Sequence, residues 1–181
     1  MKGKRFMPWL LSACGVIAVV ILGMLILGLL QPVKHSVTRV IHLKQTPETV
    51  FATIESVEDL PHWSSAVLKM ERLPENDGKP AARMTLKWGH TVMLVTQLEC
   101  KPPVRLVTRM EKENGPVLGT WTYELSAQPD GCRVSLTEDG ELTNPFYRAI
   151  GRLRGLDANV RGTLNDLARK FGESADAPPG G

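Results

Sequence analysis

The sequence predicts an α+β protein with a seven-stranded antiparallel curved sheet, a long C-terminal helix and one N-terminal transmembrane helix. Three observations lead to this fold class. Residues 9–30 contain no charged side chain. Segments between residues 36 and 142 show the period-two alternation of strands and are separated by turns of hairpin length. From Phe146 to Phe171, apolar residues recur every three or four positions, as they do along one face of a helix.

The uncharged run at residues 9–30 reads WLLSACGVIAVVILGMLILGLL. Because about 20 consecutive apolar residues suffice for a helix to cross the hydrocarbon core, we interpret this run as a transmembrane helix. A cleaved signal peptide is the alternative. Its apolar region would be about 7 to 15 residues long and would end in a small-residue cleavage site, which the following LLQPVKH does not offer.

Positive charges on the two sides of the span predict its orientation. Lys2, Lys4 and Arg5 precede it, whereas Lys34 and Arg39 follow at greater spacing. The positive-inside rule then places residues 1–8 in the cytoplasm and the soluble domain outside it, on the periplasmic side in a bacterium.

The charge balance of the soluble part limits the classes of partner. Residues 1–30 hold three of the 22 lysines and arginines and none of the 19 acidic residues, which leaves 19 basic against 19 acidic residues in the rest. Nucleic-acid-binding proteins present a basic face to the phosphates. The neutral balance therefore argues against nucleic acid as a partner.

Local signatures predict each element after a linker at residues 31–36. SVTRVIHLK is rich in β-branched residues and forms the first strand. Thr46 and Pro47 cap and begin a short helix, and Pro61 interrupts a second helical turn. Six further strands are predicted at VLKMERL, ARMTLKW, TVMLVTQLECK, VRLVTRMEK, GTWTYELSA and CRVSLTEDGEL. Their short connections require antiparallel neighbours.

The last element is predicted as one helix of about seven turns, from the cap at Asn144 to Gly172. Gly151, Gly155 and Gly162 interrupt it, and each costs roughly 0.5–1 kcal/mol relative to alanine. These glycines either leave space for a ligand or for close packing, or they are tolerated on the surface. Residues 174–181 form a polar, proline- and glycine-rich tail for which we expect disorder.

Four segments carry a resemblance to a known family: TPETVFATIESVEDLPHWSSAV, GTWTYEL, GCRVSLTEDGEL and NPFYRAIGRL. They resemble the SRPBCC superfamily, the START/Bet v 1-like group often described as polyketide cyclase/dehydrase, over residues 37–173. The resemblance implies a helix-grip fold, in which the sheet wraps around the C-terminal helix and a hydrophobic cavity lies between them. Members bind lipids, sterols, polyketides or other apolar ligands, and a minority catalyse reactions in the cavity.

The cysteines are expected to remain unpaired in such a sheet. Cys100 ends the fourth strand and Cys132 begins the seventh, so two strands separate them. Neighbouring strands lie about 4.8 Å apart, which puts the two residues about 14 Å apart, beyond the limit of about 7 Å for a disulfide. Their spacing does not suit zinc, and we expect neither a metal nor a cofactor.

Candidate ligand-cavity residues are mostly apolar side chains that strand alternation or helix periodicity turns towards the cavity. They are Trp63, Met84, Trp121, Tyr123, Leu125, Leu136, Glu138, Ile150 and Leu153. The polar candidates at the cavity mouth are His62, Glu138, Arg148 and Arg152.

Each polar candidate has two interpretations. Glu138 near an apolar cavity is either an acid or base with a raised pKa or an ion-pair partner of Arg148 or Arg152 that closes the seam between sheet and helix. The two arginines are either solvated flanks of the helix or contacts for anionic lipid headgroups. His62 is either a catalytic group or a neighbour of the core residue Trp63.

No nucleophile elbow, phosphate-binding loop, dinucleotide-binding glycine motif or zinc-protease motif occurs, so the sequence gives no positive evidence for an enzyme. It predicts a membrane-anchored protein that binds a hydrophobic or amphipathic small molecule, lipid or polyketide-like, without catalysis. Four methionines support this hypothesis: Met70, Met84, Met93 and Met110. The alternatives are a cyclase/dehydrase-type enzyme that uses Glu138, His62 or Tyr123, and a filled-core scaffold that binds a protein partner.

Overall fold

The computed structural model describes residues 6–113, 115 and 117–175. Its elements are α1 (Phe6–Leu29), β1 (Lys34–Leu43), α2 (Pro47–Glu55), α3 (Leu60–Trp63), β2 (Val67–Asn76), β3 (Lys79–Leu86), β4 (Val92–Lys101), β5 (Arg105–Lys112), β6 (Val117–Gln128), β7 (Gly131–Glu141), α4 (Pro145–Arg154) and α5 (Ala158–Lys170). The predicted cytoplasmic flank up to residue 5 and the predicted tail from residue 176 lie outside the described residues.

The chain divides into two compact units. The helical unit contains the described residues up to Val33 together with Leu142–Leu156, and the sheet unit contains Lys34–Glu141 and the residues from Asp157 onwards. The sequence predicts one soluble domain from residue 37 to residue 173, whereas the division assigns α4 to the same unit as α1. The boundaries proposed from the sequence for the linker and the domain stay predictions.

The sheet unit contains seven antiparallel strands in the order β1-β7-β6-β5-β4-β3-β2, which confirms the predicted sheet. Short connections set the order of β2 to β7, and β1 pairs with β7 from the far end of the domain sequence. Between β2 and β3, Asp77 and Gly78 both have positive φ, 51° and 70°, as the two central residues of a type I′ hairpin turn require. Cys100 on β4 and Cys132 on β7 are free thiols.

Helix α5 supplies the buried helical face of the sheet unit. It packs against β1 and β7, and the side chains of Val160, Leu164 and Leu167 are almost fully buried. Asp157, just before α5, pairs with Arg39 of β1, whose Nε donates to the carboxylate at 2.9 Å. Burial of the apolar stripe and this ion pair together fix the start and the face of the helix.

The expected single helix from Asn144 to Gly172 is wrong, because the chain forms two helices there. Helix α4 begins as predicted, with the Asn144 side chain accepting a hydrogen bond of 2.8 Å from the backbone N–H of Phe146. It ends at Gly155, whose φ of +89° cannot occur inside a right-handed helix. The C-terminal helix of the fold is therefore α5 alone.

In the helical unit, α4 packs against α1. Gly28 permits this contact, because a Cβ atom at that position would lie 1.8 Å from the backbone oxygen of Pro145. The backbone N–H of Leu142 also donates to the oxygen of Val33 at 2.8 Å. Within α1, the window Ser12–Leu29 has a mean hydropathy of 2.6 and is long and apolar enough to span a membrane, as an anchor or a signal sequence would be.

Candidate functional site

One face of the sheet, here called the inner face, carries the predicted apolar wall. Tyr123 on β6 lies directly opposite Leu136 on β7, and both belong to the core cluster that includes Leu164 of α5. Leu125 is buried in the same cluster, and Trp121 packs against it half-buried. Alternation along β6 thus brings the aromatic residues to the side of the sheet that α5 covers, as the sequence predicts.

A second cluster extends the inner face across β2 to β5, where methionines dominate. The strand register places Met110 opposite Gly119, and Met84 opposite both Met93 and Met70. Of this cluster only Val67, Met84 and Met93 are buried, whereas its other members are half-buried: Leu60, Met70, Leu86, Val95, Met110 and Leu118. The methionine cluster is therefore an apolar surface with accessible side chains.

Polar groups interrupt the inner face near the end of β7. Glu138 lies opposite Trp121 on β6, which hydrogen-bonds to its carboxylate, and opposite Val37 on β1. His35 lies opposite Gly140, and its Nε2 is 3.9 Å from Glu138 Oε1. Among the described residues, neither His35 Nδ1 nor Glu138 Oε2 has a hydrogen-bond partner, although both atoms are buried.

Burial sets the protonation of this pair. The pKa of Glu138 rises to about 7, because removal from water disfavours the carboxylate more than the Trp121 hydrogen bond favours it. Burial also lowers the pKa of His35, and the nearby charge of Asp139 opposes this effect. Near neutral pH the pair therefore consists of a neutral imidazole and a partly protonated carboxyl group, which are chemically able to exchange a proton with a bound molecule.

Several predicted site residues lie in the helical unit. Ile150 and Leu153 of α4 are exposed, as is Arg152. Arg148 is buried, and its Nε has no hydrogen-bond partner among the described residues. Because Glu138 belongs to the sheet unit, its expected ion pair with Arg148 or Arg152 stays a prediction, as does the cavity role of Ile150 and Leu153.

His62 and Trp63 line an open pocket of about 330 Å³ beside α3. Seven further residues complete it: Pro61, Ser64, Ser65, Lys87, Asp166, Arg169 and Lys170. Asp166 is 2% exposed, and its Oδ2 accepts hydrogen bonds from the backbone N–H and the hydroxyl of Ser65 at 2.6 and 2.7 Å. The sequence interpretation did not include Lys87, Asp166 or Arg169, because they come together only through the packing of α5 on α3.

His35 is also a residue that the sequence interpretation missed. The first strand was predicted from Ser36, two residues after its start at Lys34, and His35 has no metal-ligand spacing. The available signal was alternation, since His35 shares a face with Val37, Ile41 and Leu43. In the part of the chain that the structure describes, no group of three His, Cys, Asp or Glu side chains is arranged to hold a metal ion.

A comparison with protein families decides how this architecture is classified. The model of the family described as polyketide cyclase / dehydrase and lipid transport matches residues 34–172. The chain belongs to this family. The match begins at the first residue of β1 and ends two residues after α5, so it covers every strand. No curated protein sequence matches the chain.

Solved structures agree on the fold of this family member. The di-domain aromatase/cyclase StfQ of the steffimycin pathway is similar with a TM-score of 0.61 and 12% identity, over 75% of this chain and 50% of StfQ. The Zhui aromatase/cyclase from Streptomyces sp. R1128 gives 0.61 and 12%, over 74% and 91%. A START superfamily protein from Mycobacterium smegmatis gives 0.52 and 18%, over 74% and 99%. The chain thus spans only half of StfQ, and the predicted START-like helix-grip fold is confirmed.

Proposed function

We propose that this family member is a membrane-anchored protein that binds a hydrophobic or amphipathic small molecule, lipid or polyketide-like, on the inner face of its sheet. The observation that carries the proposal is the methionine cluster, where apolar side chains remain half-buried beside a closed core. Methionine is flexible and polarisable and adapts to ligands of different shape. Burial of an acyl chain contributes about 0.8 kcal/mol per methylene, so binding does not require a catalytic group.

The membrane part of the proposal rests on α1. Its described side chains are largely exposed and apolar, which suits lipid as their solvent. Lys2, Lys4 and Arg5 precede the helix in the sequence, and we assign them to the cytoplasmic side. In this topology α1 is an uncleaved anchor, and the sheet unit lies on the extracytoplasmic side of the membrane.

Photolabelling tests the binding surface. The full chain, reconstituted in phosphatidylcholine vesicles with a diazirine-labelled palmitate, is expected to be labelled on the methionine cluster. Met110→Gln and Met70→Gln should each reduce this labelling about tenfold, corresponding to about 1.4 kcal/mol, because they place an amide on the binding surface. Peptide mass spectrometry after irradiation measures the labelled positions.

The matched control is Val40→Gln, which places the same amide on an exposed position of β1 next to the buried Ile41. It should leave the labelling unchanged. Labelling confined to α1, or an equal loss in the control, would contradict the proposal and favour a filled-core scaffold that binds a protein partner.

A cyclase/dehydrase-type activity is the second candidate, and the pair of Glu138 and His35 favours it. In an intramolecular aldol condensation, a base removes one proton from a methylene group, a carbon–carbon bond forms to a ketone carbon, and the ketone oxygen takes up a proton to become a hydroxyl group. The second methylene proton and the hydroxyl group then leave together as water, and the new bond becomes a carbon–carbon double bond. Glu138, with a pKa near 7, is suited to the base and acid steps, with His35 beside it.

This activity predicts turnover of a synthetic poly-β-keto thioester by the full chain. Glu138→Gln should lower the rate at least about 100-fold, in the range measured for loss of a general acid or base. Glu141→Gln, three residues further along β7 and exposed, is the control. If wild type, Glu138→Gln and protein-free buffer form the cyclised product at the same rate, the protein does not catalyse the reaction. Binding would then remain the proposed function.

A further inference from the structure

The open pocket beside α3 lies entirely within the sheet unit. Residues of α3 and the two serines that follow it form one side, and the last turn of α5 forms the other. Lys87, directly after β3, completes the rim, and its Nζ donates to the backbone oxygen of Ser64 at 3.4 Å. The pocket thus has walls from three separate elements, and its volume of about 330 Å³ is sufficient for a polar group of several atoms.

Positive charge dominates the lining of this pocket. Lys87, Arg169 and Lys170 are cationic, and Asp166 is the acidic residue among the lining residues. Both carboxylate oxygens of Asp166 already have partners, because Oδ2 accepts two hydrogen bonds from Ser65 and Oδ1 pairs with Arg169. Among the described residues, Lys87 and Lys170 form no ion pair. The ion pairs of the described part of the chain thus leave these two lysines of the pocket without a carboxylate partner.

Trp63 lines the pocket beside these charges. The residue is 9% exposed, and its indole Nε1 is buried without a hydrogen-bond partner among the described residues. Because this nitrogen is enclosed, a molecule in the open pocket does not reach it, and Trp63 is a neighbour of the site rather than a donor to it. Trp63 also belongs to the core cluster with Tyr123 and Leu125, so it connects the polar pocket with the apolar interior of the sheet unit.

We propose that this pocket binds a single oxyanion, a phosphate or a carboxylate, held by Lys87 and Lys170, with Trp63 in the lining beside it. An oxyanion offers several acceptor oxygens, and hydrogen bonds from cationic donors to it are short and strong. Arg169 stays paired with Asp166 and forms the wall of the site. The oxyanion is either a free ion or the headgroup of an amphipathic molecule whose apolar part reaches the inner face. Only this second source rests on the function proposed above.

Indole NMR of the full chain tests the site. The protein, labelled with ¹⁵N-tryptophan and held in maltoside micelles that carry no phosphate, is titrated separately with inorganic phosphate, octyl phosphate and octanol. Trp63→Phe assigns the Trp63 signal among the four tryptophans of the chain. We expect a saturable shift of the Trp63 indole N–H with octyl phosphate, weaker at high salt because exposed charges are screened.

Lys87→Gln combined with Lys170→Gln should weaken octyl phosphate binding about tenfold or more, since two charge-assisted contacts are removed. Lys79→Gln, at an exposed position at the start of β3, is the control and should bind like wild type. Lysine-to-glutamine changes on the surface preserve the apolar core, so the variants should fold. Dispersed signals of the other indole groups would confirm that they do.

The three titrants distinguish the outcomes. A shift with inorganic phosphate as well as octyl phosphate identifies a site for a free oxyanion, whereas a shift with octyl phosphate alone identifies a headgroup site. Octanol has the alkyl chain but no anionic group. A shift with octanol therefore reports apolar binding to the inner face, the function proposed above, and does not depend on the two lysines. An unmoved Trp63 signal, or equal affinity in the double variant and wild type, overturns the oxyanion site.

Discussion

Leu164→Ala is expected to lower the free energy of unfolding of the sheet unit by about 3 kcal/mol, because it removes a fully buried side chain and leaves a cavity. The same substitution at Leu153 should change the stability by less than about 0.5 kcal/mol, since that side chain is 67% exposed. The two leucines occupy equivalent apolar positions of the sequence pattern. The break at Gly155 lies between them, so that Leu164 is on the buried face of α5 and Leu153 is at an exposed position of α4.

Urea unfolding of the full chain in zwitterionic micelles, followed by tryptophan fluorescence, measures both variants. The contrast between them is the informative quantity, because the micelle affects them equally. Similar losses at the two positions would mean that the two side chains are buried to the same extent, which would contradict the exposed position of Leu153.

Glu138 is expected to make the stability depend on pH. Below about pH 4.5 its carboxyl group is protonated in both the folded and the unfolded chain and contributes nothing. As the pH rises from 4.5 to about 7, the unfolded state ionises first, so the stability falls, and it levels off above the folded pKa. The total loss is about 3 kcal/mol, from the difference between the two pKa values.

Glu138→Gln should therefore stabilise the protein by up to about 3 kcal/mol at pH 8.5 and change little at pH 4. Glutamine keeps an acceptor for Trp121, so the comparison isolates the charge. Urea titrations of both proteins over this pH range give the difference, with Glu141→Gln as the exposed control on the same strand. A constant difference across the range would show that the Glu138 carboxyl has an ordinary pKa in the folded protein.

The strands were predictable because their signal is local. Alternation and turn residues act over a few positions, and the order of β2 to β7 follows from hairpin connections, whereas the place of β1 beside β7 does not. The helix break was not predictable from periodicity, since the apolar stripe continues through Leu153, Leu156 and Val160 without interruption. Gly155 was the available signal, but a glycine inside a helical pattern becomes a break only when tertiary packing requires a positive φ.

The apolar half of the candidate site was predictable for the same reason as the strands. Trp121, Tyr123 and Leu136 follow from alternation, and their burial in one cluster follows from the sheet. The polar half depends on register between distant segments. His35 and Glu138 are about a hundred residues apart and meet only because β1 pairs with β7. The pocket beside α3 likewise requires α5 to return to a helix formed early in the chain.

If α1 is the anchor proposed above, the packing of α4 on α1 changes what proteolysis beside the membrane would achieve. A single-pass protein is ordinarily shed when the segment after its membrane helix is cut. Here a cut between Leu30 and Val33 would remove one covalent connection, while α4 would keep its contact with α1 and remain continuous with β7 and α5. With α1 as the proposed anchor, the sheet unit would stay connected to α1 through α4 after cleavage, so its release would require the two helices to separate as well.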